Sequence, residues 1–187
     1  MTTGRRGAPE EPRVTLLHIV TVDEDNPVLR RKAPRVGRVD DSVRRLMDDM
    51  METMIAAPGV GLAAPQVDVS LRVITIRVDN QLLYLANPEI VKAEGEQIGY
   101  EGCLSVPGVV GEVKRHQKIV CRALNRHGQE KRIKGDGLLA RAIQHEIDHL
   151  DGILFTDRLT DPATLHRVDE IDATEVQQVE GEVVAPA

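Results

Sequence analysis

The sequence predicts an α+β fold: antiparallel β-strands packed around a central helix, with an additional helix in the N-terminal half. Three observations carry this reading. Apolar residues recur at helical spacing from Val43 to Met54, the period changes to two between Leu71 and Ile133, and a second helical stretch runs from Gly137 to Leu150.

Each element has its own signals. Residues 1–12 are rich in Gly, Pro, Arg and Glu and read as a disordered arm. Val14 to Val22 (VTLLHIVTV) is apolar enough for an early strand or extended piece, and Asn26-Pro27 and Ala33-Pro34 then break regular structure. Asp40 and Asp41 offer N-caps, and Val43, Leu46, Met47, Met50 and Met54 form one stripe that stops at Pro58-Gly59. That stripe is either core or a methionine-rich ligand surface, with core the ordinary reading. LRVITIRV, LLYLANPEIV, VVGEVKRH and QKIVCRAL are rich in β-branched residues and are separated by Gly, Asn-Pro and Asn-Arg-His-Gly. Asp136 can cap the second helix, which Gly152 ends, and Ala163 to Ile171 offers a short third helix. Residues 13–171 therefore read as one domain and 172–187 as an acidic, disordered tail.

Composition narrows the function. The chain has 187 residues, 41% hydrophobic and 29% charged, enough for one compact soluble domain. With no Trp and one Phe, the core falls to Val, Ile, Leu, Met and Ala. A net charge of -6 argues against a broad basic surface, and no nucleic-acid motif is present. No apolar run reaches the roughly 20 residues of a membrane span, and the polar start (MTTGRRGAPEEP) is no signal peptide. A cytoplasmic chain follows, in which Cys103 and Cys121 are not expected to pair.

The most informative stretch is Gln144-His145-Glu146-Ile147-Asp148-His149. His145 and His149, four apart on a helix, share one face and can grip a divalent metal. Glu146 beside them is placed to act as general base on a metal-bound water. The bland alternative is a solvated helix face. Leu138, Ala142, His145 and His149 fall on one stripe whose first half is apolar, which points the histidines inward. A catalytic site needs a third protein ligand and an open position. His166 is a distant candidate; Cys103, in Glu101-Gly102-Cys103-Leu104-Ser105, is the better one, and its thiolate suits Fe(II) or Zn(II). Cys121, inside Ile119-Val120-Cys121-Arg122, reads as a small buried hydrophobe in a strand. In Gly59-Val60-Gly61-Leu62-Ala63-Ala64-Pro65-Gln66 the small residues suit a backbone passing close to substrate, and the Gln66 amide can stabilise an oxyanion; a turn with a surface Gln is the alternative.

Taken in order, GVGLAAPQ, EGCLS and QHEIDHLDG resemble the peptide deformylase family, whose motifs are GxGxAAxQ, EGCLS and QHExDH. Asn26-Pro27-Val28-Leu29-Arg30 resembles the family's N-terminal region, and the likeness spans roughly Ile19 to Leu159. The resemblance implies a hydrolase that removes the N-formyl group from the initiator methionine of nascent polypeptides. It implies one divalent metal per chain, Fe(II) with Zn(II) or Ni(II) as substitutes, held by Cys103, His145 and His149. It assigns proton handling to Glu146, the oxyanion hole to Gln66 and the Leu104 N–H, and the substrate backbone to Gly61.

The helix stripe adds an expectation of its own. Leu138 and Ala142 precede the metal histidines and should line the pocket for the substrate's methionine side chain, with Val60 nearby. Arg141 flanks them, its stem covering the pocket and its guanidinium in solvent. Partners are then formyl-Met polypeptides and, through them, a transient ribosome contact. The C-terminal region lacks a long amphipathic helix for docking, and a monomer is expected. Three rivals stand beside this reading. A metalloprotease shares HExxH but usually takes a His or Glu as third ligand. A structural metal module would close the site with four protein ligands. A relative with altered activity would keep the motifs.

Overall fold

The computed structural model describes residues 15–170, so the expectations of disorder over 1–12 and 172–187 lie outside the described residues. Among the described residues two α-helices, α1 (Asp41–Ala56) and α2 (Gly137–Leu150), accompany eight strands. These are β1 (Gly61–Ala63), β2 (Val73–Val78), β3 (Gln81–Glu94), β4 (Gln97–Cys103), β5 (Val106–Arg115), β6 (Lys118–Leu124), β7 (Glu130–Asp136) and β8 (His166–Arg167). One sheet has the order β1-β2-β3-β6-β7 and the other β4-β5-β8, with every pairing antiparallel.

The Asp40 carboxylate accepts from the N–H groups of Ser42 and Val43, both at 3.0 Å, and so satisfies two donors that the first turn of α1 leaves free. Met47, Met50, Met51 and Met54 are at most 2% exposed. The methionine stripe is therefore core, and each such side chain contributes on the order of 1.5–3 kcal/mol by leaving water.

Alternation along β2 decides which helix each residue meets. Ile74, Ile76 and Val78 join Ala140, Ala142, Ile143 and Leu150 of α2. Val73 joins the α1 methionines, and the Thr75 hydroxyl points at the Met54 sulfur. The larger sheet thus lies between the two helices. On its other side α2 meets β4, which ends at Cys103.

Local departures have physical causes. Asn87-Pro88 does not separate two strands. It lies inside β3, where the pairing with β6 shifts register, and the Asn87 amide exchanges two 2.8 Å hydrogen bonds with the backbone of Val36. Val14–Val22 forms no strand where described; Val20 N–H donates to Gln66 O and Val22 N–H to Ser105 O, so the segment is an extended strap. Asp136 occupies the N-cap position of α2 without capping it, because its carboxylate accepts from Gln117 Nε2 at 2.8 Å. The expected helix after Ala163 is absent among the described residues: a 3-10 turn at Pro162–Thr164 leads into β8, which pairs with Val109 and Val110. Gly152 follows α2 at φ +75, a left-handed position that favours glycine at a helix end.

Candidate active site

α2 presents His145 and His149 on one face, and the β4–β5 hairpin delivers Cys103 to them as the last residue of β4. Cys103 Sγ lies 3.2 Å from His149 Nε2, which lies 3.2 Å from His145 Nε2. The three donor atoms are all within 4.8 Å of one another, and none of the three residues is more than 3% exposed. Their burial removes the alternative of a solvated helix face. A sulfur and two imidazole nitrogens converging in an apolar setting is a donor set that fits one divalent cation with a position to spare. His166 stands apart on exposed β8, its ring 6.3 Å from that of Tyr100.

The electrostatics set the two histidines apart. Burial pushes the His149 imidazole well below its ordinary pKa, which favours the neutral ring with one nitrogen lone pair to offer. Burial opposes charge on His145 as well, but hydrogen bonding to Cys103 and Glu101 outweighs it and carries this histidine well above the usual value. His145 Nδ1 meets Glu101 Oε2 at 2.9 Å. That contact turns Nδ1 toward the carboxylate and Nε2 toward the thiol, as a metal-binding histidine requires. Glu146 is 1% exposed, and its Oε2 has no hydrogen-bond partner among the described residues. Burial raises its carboxyl to about 7, which suits proton transfer near neutrality. Gly61 makes room for it, since a Cβ there would overlap the Glu146 carboxylate.

Behind the histidines lies a charge network that the sequence reading missed. Arg115 grips Glu101 through Nε and Nη2, both at 2.8 Å, and turns Nη1 to Asp148, which also holds Arg158. Burial alone would raise the Glu101 carboxyl; Arg115 and His145 overcome it and hold Glu101 well below the usual carboxylate range. Arg141 belongs to this network, contrary to expectation. Its guanidinium does not reach solvent but donates to Glu101, Gly99 O and Val113 O, and the residue is 2% exposed. The cause is the Glu101 carboxylate, which needs a cation once buried. Gln144 clamps the end of β5, accepting from His116 N–H and donating to His116 O, both at 3.0 Å. Sequence spacing places the members on shared faces without naming their partners: Glu101 and Cys103 are alternate residues of one strand, and Arg141 lies one helical turn before His145.

Gln66 sits in a 3-10 turn at Ala64–Val67 and is 2% exposed, which excludes a surface role. Its Oε1 accepts from Ala63 N–H at 2.8 Å, while Nε2 faces Ser105 Oγ at 3.2 Å and Cys103 Sγ at 3.6 Å. Leu104 and Ser105 form the hairpin turn directly after Cys103. Val60, Leu138 and Ala142 share one apolar cluster, Ala142 fully buried and the other two partly so. Cys121 is fully buried in β6, where burial pushes its thiol up to about 11.

Comparison with known proteins agrees with this geometry. Residues 16–164 match the family described as polypeptide deformylase. The peptide deformylase of Acetivibrio thermocellus is 56% identical over 137 residues, 73% of this chain and 81% of that protein. The one from Symbiobacterium thermophilum is 53% identical over 168 residues, 88% and 76% of the respective chains. Among solved structures, the Ehrlichia chaffeensis peptide deformylase in complex with actinonin superposes with a TM-score of 0.76 at 39% identity, covering 80% of this chain and 92% of that one. Motifs, fold, donor set and sequence identity converge on one conclusion: this chain belongs to the polypeptide deformylase family.

Proposed function

We infer that this protein hydrolyses the N-formyl group from the N-terminal formyl-methionine of newly made polypeptides, releasing formate and a free amino terminus. The family match supports the reaction. The observation that carries the chemistry is the convergence of Cys103, His145 and His149 beside the unpaired carboxylate oxygen of Glu146. A divalent cation held by these three residues supplies Lewis acidity, polarising a carbonyl and lowering the pKa of water.

The chain's own groups do the rest. Glu146 takes a proton from the water as its oxygen bonds to the formyl carbon, and delivers that proton to the leaving amine as the carbon–nitrogen bond then breaks. Gln66 Nε2 and the Leu104 N–H donate to the oxygen on which negative charge develops. Gly61 lets the substrate backbone pass, and Val60, Leu138 and Ala142 receive the methionine side chain. Arg141 acts differently, as a buried partner of Glu101.

The resident cation is Fe(II), with Zn(II) and Ni(II) as substitutes; thiolate and imidazole donors suit all three. Metal analysis of anaerobically purified protein tests that choice. The protein works as a cytoplasmic monomer, meeting its substrates in transient contact with the ribosome, and residues 13–171 form its single catalytic domain. No helix among the described residues is long and apolar enough to cross a membrane.

The deciding experiment is formate release from formyl-Met-Ala-Ser by anaerobically purified, Fe(II)-loaded protein, beside Glu146→Ala. Rapid release that falls by about 10²–10⁴-fold in the variant, with metal content unchanged, is expected for loss of a general acid–base. No release from fully loaded protein overturns the assignment.

A further inference from the structure

We propose that Ser105 is a positioning residue: its buried hydroxyl fixes the rotation of the Gln66 side-chain amide, so that one N–H of Gln66 is aimed at the reacting centre. The proposal rests on the reading of Gln66 as an oxyanion donor.

A primary amide offers one acceptor and two donors in a single plane. Fixing the acceptor and one donor fixes the direction of the other donor. In Gln66 the acceptor is taken by Ala63 N–H at 2.8 Å. Ser105 Oγ, at 3.2 Å from Nε2, takes one donor. Nε2 also faces Cys103 Sγ at 3.6 Å, so the second N–H is turned to the side of the three converging ligands.

Ser105 is fully buried and Gln66 nearly so, so water does not compete for these contacts. Remove the Ser105 oxygen and Nε2 keeps a buried N–H without a partner. The amide then relieves that cost by rotating, and the aimed donor is lost with it. The backbone of Ser105 has a separate duty, since its carbonyl accepts from Val22 N–H at 2.9 Å. Side-chain substitution leaves that hydrogen bond in place, so the two roles of the residue separate cleanly.

The magnitude follows from oxyanion chemistry. Removing one such donor costs about 10²–10³-fold in kcat. Misdirecting it forfeits part of that, on the order of tenfold.

The test is a double-mutant cycle on metal-loaded protein, with kcat and KM measured on formyl-Met-Ala-Ser for Ser105→Ala, Gln66→Ala and the pair. Ser105→Ala is expected to lower kcat about tenfold with KM little changed, and to add nothing once Gln66 is alanine. Ser105→Thr, which keeps the hydroxyl, is expected to recover kcat. In 15N spectra the Gln66 side-chain NH₂ hydrogens should exchange slowly in the parent and faster in Ser105→Ala. If Ser105→Ala leaves kcat unchanged, or if the double variant loses the product of the two single effects, Ser105 does not act through Gln66 and the proposal fails. A normal kcat in Gln66→Ala is a different failure, since it removes the oxyanion role of Gln66 itself. Should Ser105→Ala not fold, Ser105→Cys, with a weaker acceptor of similar size, decides by the same cycle.

Discussion

At Gly61 the absence of a single carbon atom makes room for the buried carboxylate of Glu146. Gly61→Ala forces its new Cβ into the Glu146 side chain and displaces it. A misplacement of about 1 Å at a reacting group costs on the order of 10²-fold, so formate release should fall by about that factor with little change in melting temperature. A normal rate would show that Glu146 has free space after all. The two cysteines make the opposite point about residues of one type. Cys121 is fully buried and its thiol is pushed up to about 11, so iodoacetamide at pH 8 should leave it unmodified in native protein and label it only in guanidinium, as read by peptide mass. Reading Cys121 as a small core residue needed only its β-branched neighbours. Arg141 was misread because nothing in its own neighbourhood along the chain announces Glu101, forty residues away, as its partner.

Helix α2 shows how one element serves two surfaces. His145 and His149 look toward Cys103, Gln144 binds the backbone of His116, and Asp148 collects Arg115 and Arg158. The 3.6-residue period made the helix and its histidine face legible, since periodicity is local. The network behind it was not legible, because it is assembled from β4, β5 and α2 by tertiary contact. Arg115 is its keystone. Arg115→Met would leave Glu101 without its two-pronged partner and Asp148 with Arg158 alone, and breaking such a buried pair typically costs about 3–5 kcal/mol. Chemical denaturation of the variant should show a loss of that size; a change below 1 kcal/mol would mean that Arg141 and Arg158 neutralise the carboxylates unaided. Strand limits were the least legible feature. Asn87-Pro88 looks like a break in sequence, yet β3 absorbs it as an irregularity because the Asn87 amide is pinned to Val36.

At the scale of the whole fold, a strand of the smaller sheet and a helix packed on the larger one meet at the three ligands, so metal binding and folding are linked. A ligand that binds only the native state stabilises it by RT ln(1 + [L]/Kd), about 2.7 kcal/mol at a hundredfold excess over Kd. Chelation should therefore abolish formate release and lower the melting temperature together, and readdition of metal should restore both; a melting temperature indifferent to the chelator would separate the site from the fold. The fold class was legible because the helical and strand periods fall in separate blocks along the chain, whereas the way the sheets close on each other was not. Part of that closure falls to the strap near the N-terminus, which has no regular secondary structure. Val20 N–H is tied to the turn carrying Gln66, and Val22 N–H to the hairpin carrying Cys103. Those two amides fasten one strap to both the turn and the hairpin. Their hydrogens can exchange with solvent only when the strap lets go of the turn or the hairpin, so their protection in a deuterium-exchange experiment would gauge how often this fastening comes undone.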